Sequence, residues 1–175
     1  MFGSAKDVSV DVILESDNPV KFHLQSTDLP IVNGDLIFDN DHHNGFKIQF
    51  NLQDQTGKNY LFPPNSKKHD AVFSALGAGA CPVANGKPQV FQVVGVDEPA
   101  CTTLRVQNPN VSPVLGAFSY ALQVTKDGGA NYLPLDPGGV NQNGPTTFSA
   151  ALGVVFVFGA VVGSLVTIGA QNLLG

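Results

Sequence analysis

The chain has 175 residues, a net charge of −5 and nine basic residues, of which only Arg105 is an arginine. A chain so acidic and arginine-poor lacks the basic surface that nucleic acid or an anionic bilayer selects, which excludes those partners for its polar part. The length gives one ordinary domain with its own core and a short addition.

From the N-terminus, Met1 to Val12 reaches Asp7 and Asp11 without an apolar run of signal-peptide length, so no cleavable export signal is expected. Val8, Val10, Val12 and Leu14 recur at every second position, the period of a strand with one buried face. Asn18-Pro19 then marks a turn before a short strand over Val20 to Leu24. Asn33-Gly34 is a strong hairpin dipeptide ahead of Leu36-Ile37-Phe38. After the polar loop Asp39 to Gly45, the alternation of Phe46, Ile48, Phe50 and Leu52 with Lys47, Gln49 and Asn51 gives the cleanest strand in the protein. Asp70 to Leu76 reads as either a helical turn or a bulged strand, and Gln89–Val96, Thr102–Gln107 and Phe118–Lys126 follow as strands. Seven or so short strands with turns between them predict a mainly β fold, an immunoglobulin-like antiparallel β-sandwich over residues 1–130. Residues 131–147, rich in Pro, Gly and Asn, read as a linker or an extended closing segment.

The stretch Phe148 to Ala170, FSAALGVVFVFGAVVGSLVTIGA, holds 23 residues without a charge. As a helix rising ~1.5 Å per residue it covers roughly 34 Å, enough for a hydrocarbon layer of ~30 Å. In lipid every backbone group must be satisfied within the segment, so helix is the only form a lone span can take. The expectation is therefore one transmembrane helix over 148–170 with a short tail at 171–175. Gly159 and Gly163 form a small-xxx-small pair that admits a second helix at close range, although glycine is common in membrane helices generally. No ionisable residue lies in the run, which argues against a proton path or an axial ligand from this segment. With no export signal ahead of it, the β domain is expected on the cytoplasmic side of the membrane, with Cys81 and Cys101 as thiols; a disulfide between them would point to an oxidising compartment instead.

Chemistry-bearing clusters are few. Asp35, Asp39, Asp41, His42 and His43 crowd one loop and carry metal-ligating groups, but neighbouring histidines in extended backbone point apart, and the spacing matches neither an EF-hand nor a zincin. Asp39, Asp41, His42 and His43 are thus weak candidates beside the reading of a solvated hairpin loop. No GxSxG motif is present, neither cysteine has a catalytic setting, and Gly77-Ala78-Gly79 and Gly128-Gly129 lack the lysine of a phosphate loop. The sequon Asn110-Val111-Ser112 matters only in a glycosylating pathway. No catalytic residue, cofactor or resident metal is expected.

Glu98-Pro99 in VDEPACTTLRVQN, Asp136-Pro137 in LDPGGVNQN and the strand Ser119 to Val124 between them resemble the bacterial DP-EP family of small β-sandwich domains. The likeness covers most of the first 140 residues and implies a sandwich of undefined activity, with Glu98 and Asp136 as its suspected carboxylates. Each precedes proline, which favours extended backbone and a structural turn role. The added apolar helix departs from that family and shifts the expected role toward attachment. In layout alone, a sandwich with one helix is similar to accessory subunits of bacterial photosynthetic reaction-centre and light-harvesting complexes. The sequence reading is therefore a non-catalytic accessory subunit of a membrane complex, photosynthetic or respiratory. Its partners would be other membrane subunits and the bilayer. The alternatives are a tethered module for a small ligand or metal and a polymerising pilin-like or coat protein.

Overall fold

A computed structural model describes residues 4–39, 44–77, 90–110 and 115–141. The chain divides into two units, Met1–Gly144 and Pro145–Gly175. The expected helix 148–170, with Gly159 and Gly163, lies outside the described residues. Among the described residues no helix is long and apolar enough to cross a membrane.

The first unit is built from two sheets. The first sheet has the order β2-β1-β5-β8-β7, with β1 Lys6–Asp17, β2 Val20–Gln25, β5 Phe46–Asp54, β7 Gln92–Val96 and β8 Thr103–Asn108. The second contains β3 Ile31–Val32, β4 Asp35–Phe38, β6 Val72–Leu76, β9 Gly116–Val124, β10 Leu133–Leu135 and β11 Gly138–Asn141. In it β9 is central: β6 pairs with one of its edges, and the other is shared by β10 and β11, after which β4 and β3 follow. A short 3₁₀ helix, Asn65–Asp70, precedes β6.

The alternation seen in the sequence becomes the core. Val8, Val10 and Val12 of β1 stand beside Ile48, Phe50 and Leu52 of β5, and Phe50 and Ile48 stand in turn beside Leu104 and Val106 of β8. All are buried. From the second sheet Leu36, Phe38, Phe118, Tyr120, Leu122 and Val124 face them. The layers meet through rings: Phe38 lies edge-on to Phe46 at 5.0 Å, and Phe91, just ahead of β7, lies edge-on to Tyr120 at 5.0 Å and to Phe118 at 5.4 Å. Burying each such ring contributes roughly 1.5–3 kcal/mol, with about 0.5–1.5 kcal/mol more from each favourable ring pair. The fold is thus a mainly β two-sheet sandwich.

One feature differs from the sequence reading. The sheets are mixed rather than purely antiparallel, because β1 runs parallel to β5 and β4 parallel to β11. Period-2 patterning buries one face of a strand whichever way its neighbour runs, so it carries no direction. Of the two readings of 131–147, a linker or an extended closing segment, its described part follows the second and carries β10 and β11. These continue one line along β9, from Leu133↔Val124 to Asn141↔Gly116. The line is interrupted at Asp136-Pro137, where proline has no N–H to give; its carbonyl still accepts from the Tyr120 N–H at 3.1 Å.

Turn chemistry follows the sequence signals. Asn33 and Gly34 both take positive φ, 54° and 90°, as a two-residue hairpin with matching twist requires, and they join β3 to β4. Gly45 at φ 77° opens β5 in a space where a Cβ would strike the Asn108 carbonyl oxygen and lie 2.8 Å from Pro109 Cα. No side chain fits there.

Candidate functional site

The strands that bury Val8, Ile48 and Val106 inward turn their alternate residues outward. Register lines these up in rows across β1, β5 and β8: Asp7, Lys47 and Gln107 in one, Ser9, Gln49 and Arg105 in the next, and Asp11, Asn51 and Thr103 in a third. Over the first two rows lies an open groove of about 560 Å³, lined also by Asp28 and Val94. That volume falls within the roughly 300–1,000 Å³ typical of small-molecule sites.

The walls are positioned by local devices. On the β1 side, the Ser9 N–H donates to Asp28 Oδ2 at 2.8 Å, Ser26 Oγ donates to the Ser9 carbonyl at 2.6 Å and Lys6 Nζ donates to the Asp28 carbonyl at 3.1 Å. These bonds fold the segment after β2 against the open edge of β1. On the β7 side, an irregularity between Val93 and Gly95 leaves Val94 outside the ladder and half-exposed at the rim. A smaller cavity of about 150 Å³ adjoins through Gln107 and is bordered by Gln92 and Asn44.

Within the face, the third row is internally satisfied. Asn51 Nδ2 donates to Ser9 Oγ at 2.9 Å and to Asp11 Oδ1 at 3.2 Å, while Gln49 Nε2 donates to Asn51 Oδ1 at 2.9 Å. Arg105 pairs with Asp97 at 2.9 Å. Among the described residues the side chains of Asp7, Lys47 and Gln107 make no hydrogen bond or ion pair, so that row presents its full bonding capacity to the groove.

The residues singled out from sequence are scattered. Asp41, His42, His43 and Cys81 lie outside the described residues. Asp35 is in β4, and the Asp39 carbonyl accepts from Asn110 Nδ2 at 2.7 Å. Among the described residues no group of three His, Cys, Asp or Glu side chains is placed to hold a metal ion. Asn110 is fully buried, so its amide is a structural tie rather than an acceptor for a glycan.

Glu98 and Asp136 fall on different sheets. Glu98 follows β7 in a turn with a cis bond to Pro99, and its carboxylate accepts from the Asn65 N–H at 2.9 Å. Asp136 sits at the break between β10 and β11, where burial pushes its carboxyl up. Cys101 is a buried free thiol, pushed up by burial and by the Glu98 charge, which makes it a poor nucleophile.

The acidic groups elsewhere hold loops. Asp127 accepts from Thr125 Oγ1 and from the backbone and side chain of Asn131, bonds that hold its carboxyl far below the usual carboxylate range. Asp17 accepts from Lys58 Nζ and Tyr60 Oη, which lower it. Asp54 is raised by burial but lowered more by its bonds from Thr56 and the Tyr60 N–H, with a net lowering.

No protein-family model matches the chain, and no curated protein matches it. Fold and face together define a two-sheet β-sandwich with a polar groove on its first sheet.

Proposed function

We propose that the chain is a non-catalytic accessory subunit of a larger membrane assembly. One helix over Phe148–Ala170 holds it in the bilayer, and the sandwich lies at the membrane surface against neighbouring chains. The observation that carries this reading is the 23-residue run without a charge, long enough to span, placed after a sandwich that already has an aromatic core of its own. Supporting it, Gly159 and Gly163 offer a close-packing groove to a partner helix. The immunoglobulin-like class and the likeness of Glu98-Pro99 and Asp136-Pro137 to DP-EP domains belong to the same reading. A photosynthetic or respiratory complex fits the layout, with the sandwich on the cytoplasmic side.

Extraction of the native membrane in mild detergent, with identification of the chains that co-migrate, tests the assignment. A stoichiometric set of partner subunits, lost when Gly159→Leu and Gly163→Leu are combined, is the expected result. Migration of the chain alone would oppose it. A second reading, a tethered module for a small ligand, is favoured by the groove beneath Asp28 and Val94.

A further inference from the structure

We propose that the groove on the first sheet binds a neutral, hydroxyl-rich ligand, a short glycan segment. This stands on the groove alone and is independent of the membrane assignment. Its lining is balanced in charge: Asp7 and Asp28 against Lys47 and Arg105, the last already paired with Asp97. A polyanion such as nucleic acid or sulfated sugar meets no net positive field there.

A protein interface of ordinary composition is also a poor fit. Such interfaces concentrate aromatic and apolar side chains at their centre, whereas here the centre is Lys47, Gln49, Arg105 and Gln107, with Val94 as the exposed apolar side chain at the rim. A sugar hydroxyl both donates and accepts, and a ring of them needs acceptors and donors side by side. Asp7 supplies acceptors, Lys47 supplies donors and Gln107 supplies both, in register on three adjacent strands about 10 Å across. The groove is partly open to solvent, which suits a segment of a longer chain rather than an enclosed monosaccharide. Since no aromatic ring among the described residues lines it, binding rests on hydrogen bonds, and an affinity near millimolar is the expectation.

The test uses the full chain in a detergent without a sugar headgroup, titrated with chitotetraose, cellotetraose, maltotetraose and a heparin tetrasaccharide. Binding is followed by calorimetry and by amide shifts in two-dimensional NMR. At least one neutral tetrasaccharide should bind by about 10 mM, shifting residues 47–49 and 105–107, and K47A with Q107A should weaken it about tenfold. Both side chains are exposed, so the double variant should melt as wild type does, and K21A on the opposite edge of the sheet should bind unchanged. The proposal is overturned if no neutral sugar binds at that concentration, if only the heparin fragment binds, or if K47A with Q107A leaves binding intact.

Discussion

Asn65 pairs with Val96 as a neighbouring strand would: its Oδ1 accepts the Val96 N–H at 2.9 Å and its Nδ2 donates to the Val96 carbonyl at 2.7 Å. Lys68 Nζ caps the Val94 carbonyl two residues earlier at 3.0 Å. Side chains from the 3₁₀ helix thus occupy the open edge of β7, where another chain would otherwise add a strand. This edge protection bears against polymerisation through β7.

Asn65→Ala should remove both bonds at Val96 and cost about 1–2 kcal/mol of stability, read by urea unfolding. The Val96 amide should lose hydrogen-exchange protection ahead of its neighbours. Unchanged protection would mean that the clamp is ornamental.

Tyr120 is fully buried among Phe50, Phe91 and Phe118, and among the described residues its hydroxyl has no hydrogen-bond partner. Burial pushes the phenol well above its usual range, with the Asp35 charge adding to the shift. Tyr120→Phe keeps the ring contacts and removes a desolvated polar atom, so it should be neutral or stabilising by up to about 1–2 kcal/mol. A loss of stability in the same unfolding experiment would show that the hydroxyl is bonded in solution.

The alkaline flank should report Tyr132 together with the other raised groups, Tyr60, Tyr120 and Cys101. Burial, and then the bond Tyr132 donates to Asp70 Oδ2 at 3.0 Å, push its phenol from 10.0 up to about 12. Between those values the folded protein keeps a proton that the unfolded chain has lost, so stability falls as pH rises through the window. On the acid side, Asp17, Asp54 and Asp127 are lowered from 3.8, so their contribution is present above that value and lost as pH falls below it. Tm against pH should therefore decline on both flanks, and Asp70→Asn should flatten the alkaline one. An alkaline flank unaltered in Asp70→Asn would show that the Asp70 bond does not contribute to it.

The strands whose burial is one-sided were legible. Phe46 to Leu52 alternates because one face meets Phe38 and Tyr120 and the other meets water, and that asymmetry is written in every second residue. The pairing direction of β1 and β5 was not, since it is set by distant parts of the chain. Nor were β10 and β11, where Leu133, Leu135 and Val140 are strung between Pro134, Pro137 and two glycines; the ladder there is supplied by β9 rather than by local propensity. The groove was illegible for the same reason. Asp7, Lys47 and Gln107 read separately as solvated strand faces, and only the register of three strands places them in one row.

The central claim is that lipid is the solvent of Phe148–Ala170, and flotation of the full chain with liposomes after alkaline extraction tests it most directly. Wild type should float, while Val161→Arg, which places a charge near mid-span at a cost of about 2.5–3.5 kcal/mol, should shift protein to the soluble fraction with the sandwich still folded. Recovery of wild type as a folded monomer in the alkaline supernatant, with Val161→Arg unfolding the domain instead, would contradict the account.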